Sequence, residues 1–214
     1  MIFKDRQDAG LKLAAVLMAY RQAPNTQIIA LPRGGVVIGD ELAKKLSLPL
    51  DIVVPRKIGA PGNEEFAIGA ITESGEPILD QGIIKQYQIA EDYLKITIAK
   101  EQKEAARRLK LYRGEREPLN LKGQNVIIAD DGIATGATMK AAIASVKGRG
   151  VKKITIAVPV SSVEASAEIK KLVDEFVCLD TPEYFGAVGA FYESFGQTTD
   201  EEVIKIMKSQ VSRR

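Results

Sequence analysis

Apolar residues along this chain fall into short, nearly unbroken runs that alternate with stretches of helical period. TQIIAL (26–31), LDIVVP (50–55), NVIIAD (125–130), KKITIAVPV (152–160) and EFVCL (175–179) are rich in Val and Ile and too continuous for strands with one wet face. Such runs predict strands buried on both sides, as in a parallel sheet. Between them, VVIGDELAKKL, ATMKAAIASVKGRG (137–150) and SVEASAEIKKLV (162–173) predict helices, the second stopped by Gly148 and Gly150. Strand, helix and strand in succession predict right-handed crossovers and therefore an α/β fold, a parallel sheet flanked by helices.

The interval from about 56 to 123 breaks this rhythm and is predicted to be an insertion with a flexible loop. RKIGAPGNEE reads as a Gly/Pro loop, AIGAITESGEPIL as a hairpin, and about 91 to 113 as a long charged helix on which Glu104 supports Arg108 four residues on. Arg107, Arg108, Lys110 and Arg113 read as the solvated end of that helix rather than a phosphate cluster. The ends of the chain, about 1–25 and 181–214, belong to no crossover unit and are expected to pack together as a small cap, or hood, over a core of about 26–180. The whole chain, 1–214, is expected to be a single domain.

With 214 residues, 45% hydrophobic and 27% charged, the chain can bury a real core. A net charge of +2 gives no bulk electrostatic case for nucleic acid or an anionic membrane, and no segment reaches the length of a bilayer span. The single cysteine, Cys178, sits in a strand-like run as core filler, which excludes a disulfide framework and points to the cytoplasm. The absence of histidine excludes Ser-His and Cys-His nucleophilic catalysis, and the acids lack the spacing of an all-protein metal site.

Candidate chemistry concentrates in VIIADDGIATGATM (126–139), where a buried run ends on two carboxylates. In a parallel sheet, ligands bind beyond the carboxyl ends of the strands. A loop of Gly132, Thr135, Gly136, Ala137 and Thr138 opening a helix offers backbone N–H groups and the positive end of a dipole, a cradle for phosphate. It is not a Walker A loop, because Gly-Lys-Ser/Thr is missing. Asp130 and Asp131 repel phosphate and so must face hydroxyl donors or a metal ion. A lone Asp there would read as a helix cap; two charges behind four apolar residues demand a partner.

This stretch resembles the 5-phosphoribosyl 1-diphosphate (PRPP) binding motif of the type I phosphoribosyltransferases. The resemblance implies that Asp130 and Asp131 meet the ribose hydroxyls and that Ala134, Thr135, Gly136, Ala137 and Thr138 hold the 5′-phosphate. PRGG resembles the family's pyrophosphate loop, with Arg33, Gly34 and Gly35 as ligands; alone it reads equally as a strand-to-helix turn. PRKIGAPG resembles a loop of adenine phosphoribosyltransferases and makes Arg56 and Lys57 phosphate ligands. The match covers about 26 to 160, and AVGAFYESFGQTTDEEV extends it toward a substrate-unassigned group of the family.

The resemblance implies a Rossmann-like fold with a hood, Mg²⁺ arriving with PRPP near Asp130 and Asp131, a nucleobase-like acceptor and a homodimer. Hypoxanthine-type enzymes place an Asp where Ala134 stands, which argues against a 6-oxopurine handled in that way. Glu64 and Glu65 are the candidate proton acceptors, should their loop close over the site, and the aromatics Tyr184, Phe185, Phe191 and Tyr192 read as hood core or as a stacking surface for a base. The alternative reading is a silent protein that senses PRPP or a nucleotide.

Overall fold

The computed structural model describes residues 1–210, apart from the side chains of Glu64 and Glu65; the role expected of those two side chains and the hood's last residues, 211–214, lie outside the described residues. Helix α1 (Arg6–Val16) leads to β1 (Thr26–Ala30), α2 (Gly34–Leu46) and β2 (Leu50–Ile52). Then come β3 (Arg56–Ala60), β4 (Asn63–Ile71), β5 (Pro77–Leu79), α3 (Gln81–Gln86) and α4 (Glu91–Arg113). The chain continues through β6 (Asn125–Ala129), α5 (Ala137–Lys147), β7 (Lys153–Val160), α6 (Val163–Lys170), β8 (Glu175–Asp180) and α7 (Asp200–Ser209).

The five apolar runs form one parallel sheet in the order β2-β1-β6-β7-β8. Successive side chains point to opposite faces, so Ile28 and Ile127 enter one core with Leu13, Leu42, Val203 and Met207, while Ile29 and Ile128 enter another with Met139, Ile143 and Ile169. Both faces are covered, and that is why these runs lack polar alternation. The structure therefore has the parallel α/β architecture that the pattern predicts. Among the described residues no helix is long and apolar enough to cross a membrane.

The segment read as a Gly/Pro loop is instead half of a second, three-stranded antiparallel sheet, β3-β4-β5. Arg56 pairs with Ile71 and Ala60 with Asn63, with register shifts at Gly59 and Gly62 at φ +73° in the turn. The Gly and Pro content is thus the chemistry of one tight turn and its bulges. The predicted hairpin is present as β4 and β5, and the long helix runs over Glu91–Arg113.

Arg113 is the exception at the helix end. It is buried, and its guanidinium donates to Asp51 Oδ1 at 3.2 Å, to the Ile52 carbonyl at 2.8 Å and to Glu73. Arg149 reaches the same Glu73 at 3.2 Å, so one ionic network ties β2, the β4–β5 turn and the ends of α4 and α5.

The two ends of the chain meet: Phe3 N–H donates to the Phe191 carbonyl at 2.9 Å and Glu193 N–H to the Phe3 carbonyl at 2.8 Å. The Phe3, Tyr192 and Phe195 rings pack in sequence at 5.4 and 4.9 Å between centroids. Yet α1 also sends Leu13 and Ala14, followed by Leu17 just past its end, into the apolar layer under β1 and α2, so the first helix is part of the sheet's covering as well.

Candidate functional site

Because β1 and β6 are neighbours with Ala30 opposite Ala129, the turns that follow them lie side by side. The PRGG turn thereby runs under the acidic pair. A methyl group built on Gly34 would lie 2.6 Å from Asp131 Cγ and 2.7 Å from Arg6 Nε, and one on Gly35 2.8 Å from Asp130 Oδ1. Only a bare Cα fits at either place. Gly34→Ala is expected to lower stability by about 1–3 kcal/mol, the usual cost of overpacking, read as a fall in the urea midpoint at unchanged slope.

The two carboxylates differ in their surroundings. Asp130 is held well above the usual carboxylate range, first by burial and then by the charge of Asp131, although its Oδ1 accepts the Asp131 N–H at 2.9 Å. Asp131 is paired: Arg6 Nε donates to its Oδ2 at 2.7 Å. Arg6 also donates through Nη1 to the Gly196 carbonyl at 2.7 Å and lies 3.9 Å over the Phe195 ring. The Tyr192 hydroxyl donates to the Asp131 carbonyl at 2.6 Å, and burial pushes that phenol far up, so it stays a neutral donor.

Past the acids, the loop reaches α5 through Gly136 in the left-handed region at φ +76°. Helices α1, α3, α6 and α7 are capped by the side chains of Asp5, Asp80, Ser162 and Thr199, whereas α2, α4 and α5 have no such N-cap; at α5 the Thr135 hydroxyl accepts the Ala137 N–H at a long 3.5 Å. The first turn of α5 lines a cavity of about 230 Å³ whose lining also includes Lys57, Asp130, Ala134, Thr135 and Val188. The loop is braced from below: Ile133 N–H donates to Val160 at 2.9 Å, and Ser162 donates through N–H to Ile133 at 2.9 Å and through its hydroxyl to Ala134 at 2.7 Å. An uncapped helix start beside a half-buried carboxylate can hold an anion at one end and hydroxyl donors or a cation at the other. A larger cavity, about 590 Å³ between α1, α2 and α7, offers no such cradle: Lys44 pairs with Asp40 and Glu41, and Glu202 closes the cap of α7.

The remaining expected residues divide. Gly132 packs on Val188, where an added methyl would come within 3.0 Å of its Cγ2. Lys57 lines the cavity, whereas Arg56, its neighbour on β3, is turned to α4 and pairs with Glu101 at 2.7 Å. Arg33 lies 3.5 Å from Asp200 at the start of α7, and Asp200 accepts the Tyr112 hydroxyl at 2.6 Å; burial and that carboxylate push the phenol up to about 12. The backbone of Glu64 and Glu65 belongs to β4. Tyr184 is 90% exposed, Phe185 packs on Phe191 at 5.3 Å, and Tyr192 belongs to the core of the joined termini. Arg6, Tyr192 as a hydrogen-bond donor, Val188 and Asp200 are parts of this site that sequence reasoning did not find, since each reaches it from a segment remote along the chain.

A family model described as phosphoribosyl transferase domain matches residues 7–193. Over 206 residues the chain is 39% identical to the Mycobacterium tuberculosis protein named "Putative phosphoribosyl transferase Rv0571c", an alignment covering 96% of this chain and 46% of that one. The chain thus spans about half the length of the curated relatives it matches. The crystal structure of the protein TT1426 from Thermus thermophilus is similar at 41% identity and a TM-score of 0.85, covering 98% of this chain and 99% of that chain.

Proposed function

The chain belongs to the phosphoribosyl transferase domain family, and from that premise we propose that it transfers the 5-phosphoribosyl group of PRPP to a nucleobase or similar nitrogen acceptor, with release of pyrophosphate. One observation carries this reading: Asp130 and the start of α5 line the same cavity, so a carboxylate for hydroxyl groups and a helix start for phosphate share one space. In this reading Asp130 and Asp131 serve the ribose, and Gly132 with Ala134 to Thr138 holds the 5′-phosphate. Arg33, Gly34, Gly35 and Lys57 receive the departing pyrophosphate, joined by Arg56 once it leaves Glu101. The division into a core of about 26–180 and a hood of the two termini, and a cytoplasmic homodimer, belong to the same proposal.

Displacement at ribose C1 builds positive charge on the sugar and negative charge on the leaving group, so fixed charges and backbone donors do most of the work. The residues present fit a magnesium ion carried in by PRPP, because Asp130 is a half-buried carboxylate at the cavity, beside Asp131, whose charge its surroundings disfavour and which a cation would relieve. When bound, Mg²⁺ would neutralise charge on the pyrophosphate; Asp130 and Asp131 are the side chains placed to hold it. Glu64 and Glu65 are proposed to take the acceptor's proton. A second reading, a PRPP- or nucleotide-sensing regulator without turnover, is favoured by the ion pairs that Arg33 and Arg56 make with Asp200 and Glu101, which engage two of the proposed pyrophosphate ligands.

Pyrophosphate release separates the two. With PRPP and Mg²⁺ present, release is expected to depend on one member of a panel of purine and pyrimidine bases. Binding of PRPP by calorimetry with no release for any base would favour the regulator, and no binding at all would overturn both.

A further inference from the structure

The acidic pair is symmetrical in sequence and asymmetrical in space. Asp130 lines the cavity beside Thr135 and Thr138; Asp131 points the other way, onto Gly34 and the Arg6 guanidinium. Arg6 arrives there by a short, fixed path. It is the first residue of α1, whose start is set by Asp5 accepting the Asp8 N–H at 2.8 Å, and Phe3, three residues earlier, is bridged to Tyr192. Its Nη1 donates to the Gly196 carbonyl, and its plane lies on Phe195, so the guanidinium is held from three sides. Two adjacent carboxylates repel each other, and a cation fixed on one decides where both can point.

We propose that Arg6 is a positioning residue for PRPP: it anchors Asp131 against Gly34 and thereby sets where both carboxylates of the pair stand toward the ribose. The inference rests on the proposed function and deepens it. It makes the ion pair a joint between the first helix and the turn after β6, so that the ribose-facing carboxylates keep one geometry. Arg6 itself touches no ligand.

The test is calorimetric binding of two probes, Mg·PRPP and Mg·pyrophosphate, to the full chain and to Arg6→Met, Arg6→Lys, Asp131→Asn and the Arg6→Met/Asp131→Asn double variant. Arg6→Met is expected to weaken PRPP about tenfold, the scale of loss when a residue that orients a ligand-binding group is removed. Pyrophosphate affinity should stay within about twofold, and the double variant should match Asp131→Asn within about twofold, because Arg6 acts only through Asp131. Arg6→Lys keeps the charge but loses the Gly196 contact and the flat face on Phe195, and should fall between wild type and Arg6→Met. An equal loss of both probes would mean general loosening and would overturn the inference, as would an unchanged PRPP affinity in Arg6→Met. Failure of the unaltered protein to bind Mg·PRPP would instead sink the functional reading and this inference with it.

Discussion

Asp130→Asn is expected to weaken Mg·PRPP binding by about 100-fold or more while leaving the ligand-free protein as stable as before or more so. The loss follows from two hydrogen bonds to a charged group, each contributing about 1.5 kcal/mol, with tenfold per 1.4 kcal/mol. The stability follows from the surroundings of Asp130. Burial and the charge of Asp131 hold its carboxyl above the ordinary 3.8, so the folded protein keeps that proton to higher pH than the unfolded chain does. Stability from this group is therefore full below the unfolded value and lost as pH rises through the folded one. Asn removes the disfavoured charge and still presents an oxygen to the Asp131 N–H. The melting-temperature gain of Asp130→Asn should grow as pH rises from about 4 toward neutrality. Calorimetric binding and a melting series at several pH values check both halves; unchanged PRPP affinity would sink the assignment of Asp130. The substitution must be made singly, because Asp131→Asn also strips Arg6 of its partner.

Arg113→Met should give the largest loss of stability, about 3–5 kcal/mol, the range for removing one partner of a buried ion pair. The substitution leaves Asp51 and Glu73 without the guanidinium between them. The lower end of that range is expected, because Asp51 still accepts N–H groups from Ile52 at 2.8 Å and Leu119 at 3.1 Å, and Glu73 keeps Arg149. At about 2–4 °C per kcal/mol for a chain of this size, the melting temperature should drop by roughly 6–12 °C. Arg113→Met combined with Asp51→Asn should recover part of it. A drop below about 2 °C for Arg113→Met would mean that the cluster is wetter than its burial implies.

What the sequence made legible depended on how locally each feature is encoded. The parallel strands announce themselves because both faces are buried, and α4 because its polar face and its Glu104–Arg108 pair repeat at helical spacing. The acidic turn is legible because its acids, small residues and helix start are contiguous. Residues 56–66 misled because Gly59, Pro61 and Gly62 resemble loop chemistry, whereas their partner strand, around Ala67 to Ile71, is visible only in three dimensions. Arg113 looked like a solvated helix end because its acidic partners are 62 and 40 residues away. Arg56 and Lys57 are adjacent in sequence yet face α4 and the cavity respectively, a consequence of strand alternation. Arg6 and Tyr192 reach Asp131 across 125 and 61 residues, and nothing near either of them signals it.

The uncapped start of α5 also bears on how this protein responds to laboratory evolution. Thermostabilising libraries are enriched in helix caps and in the removal of unfavourable charge, each contributing about 0.5–2 kcal/mol. Here those rules point to Gly136, where the left-handed backbone admits Asn or Asp as well as Gly, and to the change Asp130→Asn. A carboxylate or amide side chain in place of Gly136 would crowd the helix start that lines the cavity, and Asp130→Asn would relieve a disfavoured charge. A selection for heat resistance alone would therefore fix changes at the two ends of the cavity and carry the protein away from its ligand, so such a campaign needs a binding screen in every round.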